Sequence, residues 1–191
     1  MPRRIRSFVA VEVGEYAREA LERGIERLRA AGADVRWVRP GNLHLTVKFL
    51  GNVEMTQTGE IAGALADACA PFSPFEGELR GLAPFPSARK MRVVAVRFTA
   101  EAELARLARA VDEALVPLGV PHESRPFRAH LTLGRVKNPK NAGPLAAMLA
   151  ERADMSFGEV GVDAVGLFQS ELTRSGPIHT RLATAPLGGE G

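Results

Sequence analysis

The sequence predicts an α+β fold of two lobes, each a mainly antiparallel sheet with outer helices, facing one another across a central cleft. Three observations lead there. The stretch Leu43-His44-Leu45-Thr46-Val47-Lys48-Phe49-Leu50 is echoed downstream by Phe127-Arg128-Ala129-His130-Leu131-Thr132-Leu133-Gly134-Arg135, and both carry His-Leu-Thr followed by an aliphatic residue. Each copy sits in a run that alternates apolar and polar residues, the signature of a strand with one buried face. The surrounding elements run strand, helix, His-Leu-Thr strand, and then the same order again, which is not the strict alternation of a doubly wound parallel sheet. No Pro/Ser-rich linker divides the chain. The repeat therefore predicts one domain over residues 1–191, made of two interleaved lobes related by a pseudo-two-fold, with one motif from each facing the cleft.

Taken in order, Arg6 to Val13 alternates loosely, is rich in valine, and reads as a strand ended by Gly14. From Glu15 to Ala31, Leu21, Ile25 and Leu28 recur at helical spacing, and Gly32 closes that helix. Val35 to Val38 is a short strand, and the turn cluster Arg39-Pro40-Gly41-Asn42 delivers the chain into the first motif. Thr58 to Ala70 is a helix with Ile61, Leu65 and Ala68 on one face. Within the Pro-, Gly- and Phe-rich stretch 72–87, a strand is expected around Glu76 to Leu82. Met91 to Phe98 is a strand, and Glu101 to Leu118 is a helix with an apolar stripe of Leu104, Leu107, Ala108, Val111 and Leu115. After the second motif come a short helix, Pro144 to Arg152, and strands over Met155 to Val162, Ala164 to Ser170 and Ile178 to Thr184.

Composition narrows the class. With 191 residues, 46% of them hydrophobic, the chain buries a real core and no segment reads as disordered. A net charge of +3 is a mild basic bias that permits an anionic partner without demanding one. The single cysteine, Cys69, excludes an intramolecular disulfide and a Cys-based zinc cluster, and favours a reducing compartment. The apolar run after the N-terminal arginines is short and interrupted by Glu12, so it does not read as a signal peptide, and no run has the length of a membrane span. A monomeric cytoplasmic protein is the expectation.

On a strand, His and Thr two positions apart share a face, roughly 7 Å apart along the chain. Histidine titrates nearest neutrality, so two of them can act as acid and base together. The reaction that wants such a pair is in-line displacement at phosphorus, one imidazole activating the attacking oxygen and the other protonating the departing one. A hydroxyl beside each imidazole hydrogen-bonds the non-bridging oxygens, where negative charge persists. This chemistry needs no metal and no cofactor. A metal site built from His44, His130 and a third group such as His179 is the competing arrangement, but hydroxyls are poor ligands and no carboxylate shares either face.

The two motifs and their flanks resemble the 2H phosphoesterases, in the RNA 2′,3′-cyclic phosphodiesterase branch also called 2′-5′ RNA ligases. Arg6-Ser7-Phe8-Val9-Ala10-Val11 resembles the opening strand, Trp37 to Gly51 the first signature, and Glu123 to Arg135 the second. The resemblance implies metal-independent opening of a terminal 2′,3′-cyclic phosphate to a 2′-phosphomonoester, with His130 as proton acceptor, His44 as proton donor, and Thr46 and Thr132 holding phosphate oxygens. It also implies a reversible 2′-5′ RNA ligase activity. The expected partners are RNA ends with a 2′,3′-cyclic phosphate, tRNA fragments among them, and no membrane. Two positions depart from the pattern: Ala129 stands where the family often has proline, and His179 where tyrosine is expected. His179 either lines the cleft and stacks on a base or stands on a strand surface, and His122 reads as structural or solvated.

For substrate binding, parity places Lys48 on the face of His44 and Arg128 on the face of His130. Arg135 has the opposite parity, but a bulge at its strand end would redirect it. Arg125 either contacts substrate or braces the turn at Pro126, and Phe8 and Trp37 serve as a base platform or as core. The same chemistry on a small cyclic nucleotide, a 2′-5′ oligoadenylate or an ADP-ribose cyclic phosphate is a second enzymatic reading. A non-catalytic RNA-binding module is a third.

Overall fold

The computed structural model describes residues 3–188, so the first two and last three residues of the expected domain lie outside the described residues. The described residues form nine strands: β1 (Arg4–Glu12), β2 (Val35–Trp37), β3 (His44–Glu54), β4 (Phe75–Phe85), β5 (Val93–Phe98), β6 (His130–Val136), β7 (Ser156–Val162), β8 (Ala164–Thr173) and β9 (Gly176–Pro186). Four helices, α1 (Glu15–Arg29), α2 (Thr58–Cys69), α3 (Glu101–Leu115) and α4 (Gly143–Glu151), complete the fold. The strands make one sheet in the order β7-β4-β5-β6-β3-β1-β8-β9, with β2 pairing to β6 off that path. The recorded pairings are all antiparallel. The α+β class with outer helices is therefore the observed architecture.

Several bounds differ from expectation for identifiable reasons. The helix expected to reach Leu118 ends at Leu115 and continues as a single tighter turn, Val116–Leu118, because Pro117 can sit early in such a turn but not inside an α-helix. Gly119, at φ 81°, then reverses the chain in a conformation that costs glycine little. β4 runs on past Leu82 to Phe85. Its Pro84 is tolerated because β7 stops pairing at Arg80, leaving that part of β4 as an edge. β8 and β9 form a long hairpin joined at Arg174 and Ser175.

The buried sides of all four helices join one face of the sheet in a single apolar cluster, with Leu21, Leu65, Leu107 and Leu149 packed among Val9, Leu45, Val96 and Leu131. Burying each large side chain contributes on the order of 1.5–3 kcal/mol, so docking rather than helix propensity holds this layer. α1 crosses to the far end of the sheet, where a Cβ on Gly24 would lie 2.7 Å from the ring of Phe157 on β7. A second, small cluster of Phe8, Ala10 and Phe168 lies apart from the main core. It marks the opposite face of the sheet, which is the face that carries both His-Leu-Thr motifs.

Candidate active site

The two motifs meet at the middle of the sheet. β3 and β6 are neighbours through one pair, Leu45 opposite Leu131, and both leucines are fully buried on the core face. In an antiparallel register, that pair sets His44 opposite Thr132 and Thr46 opposite His130. All four side chains are half-buried and share the motif face.

The outer neighbours repeat the arrangement. Ala10 of β1 lies opposite Thr46, and Ala95 of β5 lies opposite Thr132, so a methyl group flanks each hydroxyl. Each strand then carries an extra residue directly after its motif. On β3, Val9 pairs with Lys48 and Ala10 with Thr46, leaving Val47 unmatched; on β6, Val94 pairs with Gly134 and Ala95 with Thr132, leaving Leu133 unmatched. Such a bulge resets the alternation of faces.

That reset overturns the parity argument for Lys48. Paired with Val9, Lys48 is buried on the core face, where its ammonium contacts Asp112 of α3 and donates to the Pro121 carbonyl at 2.9 Å. It is a structural cation, not a substrate contact. Phe49 takes the place on the motif face beside Phe8. On β6 the same reset turns exposed Arg135, opposite Val93, onto the face of His130 and Thr132.

Each imidazole is held by the same local device. His44 Nδ1 lies 2.6 Å from the Asn42 carbonyl oxygen, and His130 Nδ1 lies 2.7 Å from that of Arg128. A carbonyl only accepts, so Nδ1 carries the proton in both rings and Nε2 is left free for a substrate. Asn42 is itself clamped, its side-chain amide donating to the Pro177 carbonyl at 2.8 Å. An aromatic ring backs each imidazole: Phe8 stacks on His44 and Phe85 on His130, both at a centroid distance of 4.8 Å.

The two environments differ. Phe8 is covered by His44 on one side and by Phe168, nearly parallel at 5.4 Å, on another. Burial pushes His44 from its ordinary 6.5 down to about 4, the Asn42 carbonyl opposes that, and His179 pushes in the same direction as burial. His179 stands edge-on to Phe8 at 4.8 Å and to His44 at 5.4 Å, and burial lowers its pKa too. It lies at the site, not out on a strand surface. Glu12 is the cross-strand partner of His44, whereas Arg97 is that of His130.

The remaining candidates are dispersed. Phe8 is 4% exposed and braces His44, so it offers no open platform. Trp37 packs against the main core from β2, close over Gly134, where a Cβ would meet Trp37 Cε3 at 2.9 Å. Phe8 and Trp37 therefore do not form a joint base platform. Arg125 and Arg128 are exposed in the loop before β6; the Arg125 N–H donates to Glu123, and the Arg128 carbonyl holds His130. His122 is structural: with Lys48 and the Glu123 N–H it surrounds Asp112. Burial pushes the Asp112 carboxyl up, but those hydrogen bonds outweigh it and hold the group at about 2.

Sequence reasoning missed Phe85, Phe168, Glu12, Arg97 and Arg181. Only Arg97 left a signal, as the lone charge in the apolar run 93–98. Among the described residues, no three His, Cys, Asp or Glu side chains converge as a metal site. No helix among them is long and apolar enough to cross a membrane.

Paired His-x-Thr strands at the centre of an antiparallel sheet are the arrangement that the resemblance to the 2H phosphoesterases implies. The family model of the 2′-5′ RNA ligase superfamily matches residues 17–174. The RNA 2′,3′-cyclic phosphodiesterase of Methanothermobacter thermautotrophicus is 37% identical over 177 residues, covering 93% of this chain and 96% of that protein. That of Archaeoglobus fulgidus is 38% identical over 180 residues, covering 93% and 98%. Among solved structures, TT0787 of Thermus thermophilus superposes with a TM-score of 0.81 at 31% identity, covering 98% of this chain and all of that one. Escherichia coli LigT shares the fold, with a TM-score of 0.76 at 22% identity over 96% of this chain and 97% of its own. The chain belongs to the RNA 2′,3′-cyclic phosphodiesterase (2′-5′ RNA ligase) family of the 2H phosphoesterases.

Proposed function

We propose that this protein hydrolyses the 2′,3′-cyclic phosphate at an RNA 3′ end to a 2′-phosphomonoester, by acid–base catalysis between His44 and His130 without a metal. The carrying observation is the Leu45–Leu131 register, which sets each histidine opposite the other motif's threonine. His130 Nε2 takes a proton from water as the water oxygen attacks phosphorus. The bond from phosphorus to O3′ breaks, and His44 Nε2 delivers a proton to that oxygen. Thr46 and Thr132 donate to the non-bridging oxygens, and Arg135 adds a cation on the same face. With a 5′-hydroxyl end in place of water, the same proton transfers join that end to the cyclic phosphate as a 2′-5′ linkage.

The donor role makes a demand on His44, which burial keeps neutral at neutral pH in the free protein. A phosphodiester anion beside Nε2 favours the imidazolium and reverses that balance. Substrate thus charges its own acid.

The matching registers around the two motifs support reading the sheet as two lobes, β9-β8-β1-β3 and β6-β5-β4-β7, related by a pseudo-two-fold through the Leu45–Leu131 pair. We place the protein in the cytoplasm as a monomer acting on RNA ends, tRNA fragments among them.

The direct test is incubation with an oligoribonucleotide ending in a 2′,3′-cyclic phosphate in excess EDTA, with 2′- and 3′-phosphate products resolved. Conversion to the 2′-phosphate is expected. Activity that vanishes in EDTA and returns with a divalent metal would overturn the two-histidine mechanism, and RNA bound but left intact would leave a binding module.

A further inference from the structure

Beside His44, on the side away from β6, lies a cavity of about 200 Å³. Buried Phe8 and Phe168 lie at its base beside half-buried His179, and its polar wall is Glu12, Arg18 and Arg181. The mechanism uses none of the polar three. Arg181 Nη1 donates to Glu12 Oε2 at 2.6 Å, with both side chains about half exposed, so the pair is open to a ligand. Arg18 reaches in from the first turns of α1; its Nη2 donates to the Val13 carbonyl at 3.0 Å, while its buried Nε has no partner.

We propose that this cavity is a nucleobase pocket selective for guanine, a reading that rests on the cyclic-phosphate hydrolysis above with His44 on the side of the departing oxygen. Both ester oxygens of a 2′,3′-cyclic phosphate belong to one ribose, so that ribose and its base lie on the His44 side. The cavity opens on that side, and its volume suits one base rather than a longer chain. Its polar wall offers two acceptor oxygens, from Glu12, beside guanidinium donors. A base matched to that wall presents two adjacent donors with an acceptor next to them. Guanine does so with N1–H, N2–H and O6; adenine, cytosine and uracil each present one donor group on that edge. O6 or N7 would also satisfy an arginine donor. Seating the base desolvates the Glu12–Arg181 pair and strengthens each bond it makes to the edge.

The test compares kcat/KM for the four nucleoside 2′,3′-cyclic phosphates, and for four oligoribonucleotides that differ only in the nucleoside carrying the cyclic phosphate. The guanosine substrates should be preferred at least about tenfold, carried mainly by KM. Glu12→Gln and, separately, Arg181→Met should bring the ratio of guanosine to the other bases close to one. Equal turnover of all four bases, preference for another base, or an unchanged ratio in both variants would overturn the pocket while leaving the phosphodiesterase reading intact. No turnover of any substrate would remove that reading and this one together. The wild-type comparison decides the matter even where a variant fails to fold.

Discussion

His44 and His130 carry the same anchor and sit in unlike surroundings, and the difference is measurable. Each histidine changed to glutamine should lower kcat by about 10²–10⁴-fold with the circular dichroism spectrum unchanged, the range for loss of a positioned acid or base. A variant with near wild-type turnover would end the two-histidine account. On the proposed mechanism, Thr46→Val and Thr132→Val each remove one donor to the phosphoryl oxygens and should cost about 10²–10³-fold in kcat. In the free protein, the imidazole resonances of His44 should titrate near pH 4, where burial holds them. Adding a nucleoside 2′-phosphate should move that midpoint upward, towards neutrality. A midpoint that ignores the phosphate would argue against His44 as proton donor. These four residues were legible in the sequence because the motif occurs twice with the same intervening leucine. Phe85 and Phe168 were not, since what brings their rings to the site is tertiary packing from β4 and β8.

At the level of elements, the bulges decide which side chains reach the motif face. Thr46-Val47-Lys48-Phe49 reads as an uninterrupted alternation, and one unmatched residue, Val47, leaves no mark in the letters while it exchanges the faces of Lys48 and Phe49. Parity puts Lys48 on the wrong face for that reason, and Arg135 is recoverable only by supposing a bulge. The buried Lys48–Asp112 pair then ties β3 to α3 and to the loop that enters β6. Asp112→Ala strands an ammonium in the core and should cost about 3–5 kcal/mol in urea unfolding, whereas Lys48→Met should cost clearly less. Equal losses would mean that the ammonium is not buried as described. Gly134→Ala should also destabilise, by about 1–3 kcal/mol, because the new methyl would meet Val35 Cγ1 at 2.6 Å and Trp37 at 2.9 Å.

For the whole molecule, the buried histidine couples stability to pH. The folded-state pKa of His44, about 4, lies below the ordinary 6.5, so as pH falls through that window the unfolded chain takes up the proton first. Stability from this residue is intact above about pH 6.5 and falls by about 3 kcal/mol on reaching pH 4. Urea midpoints measured across that range should decline for the wild type, and His44→Gln should flatten the decline. The general class was legible throughout, because helical stripes and alternating runs report which faces are buried. Which strands end up adjacent was not, since β1 finds its second neighbour in β8 and α1 packs on β7. That last contact bears on synthesis. When α1 leaves the ribosome, Phe157 has not been made, and neither has the β8 strand that closes over β1. Until Phe157 and the strand 164–173 have been made, α1 lacks its contact with β7 and β1 lacks its second neighbour. A nascent fragment ending before Ser156 lacks both of these contacts, and transiently exposed apolar surface of that kind is what chaperones bind.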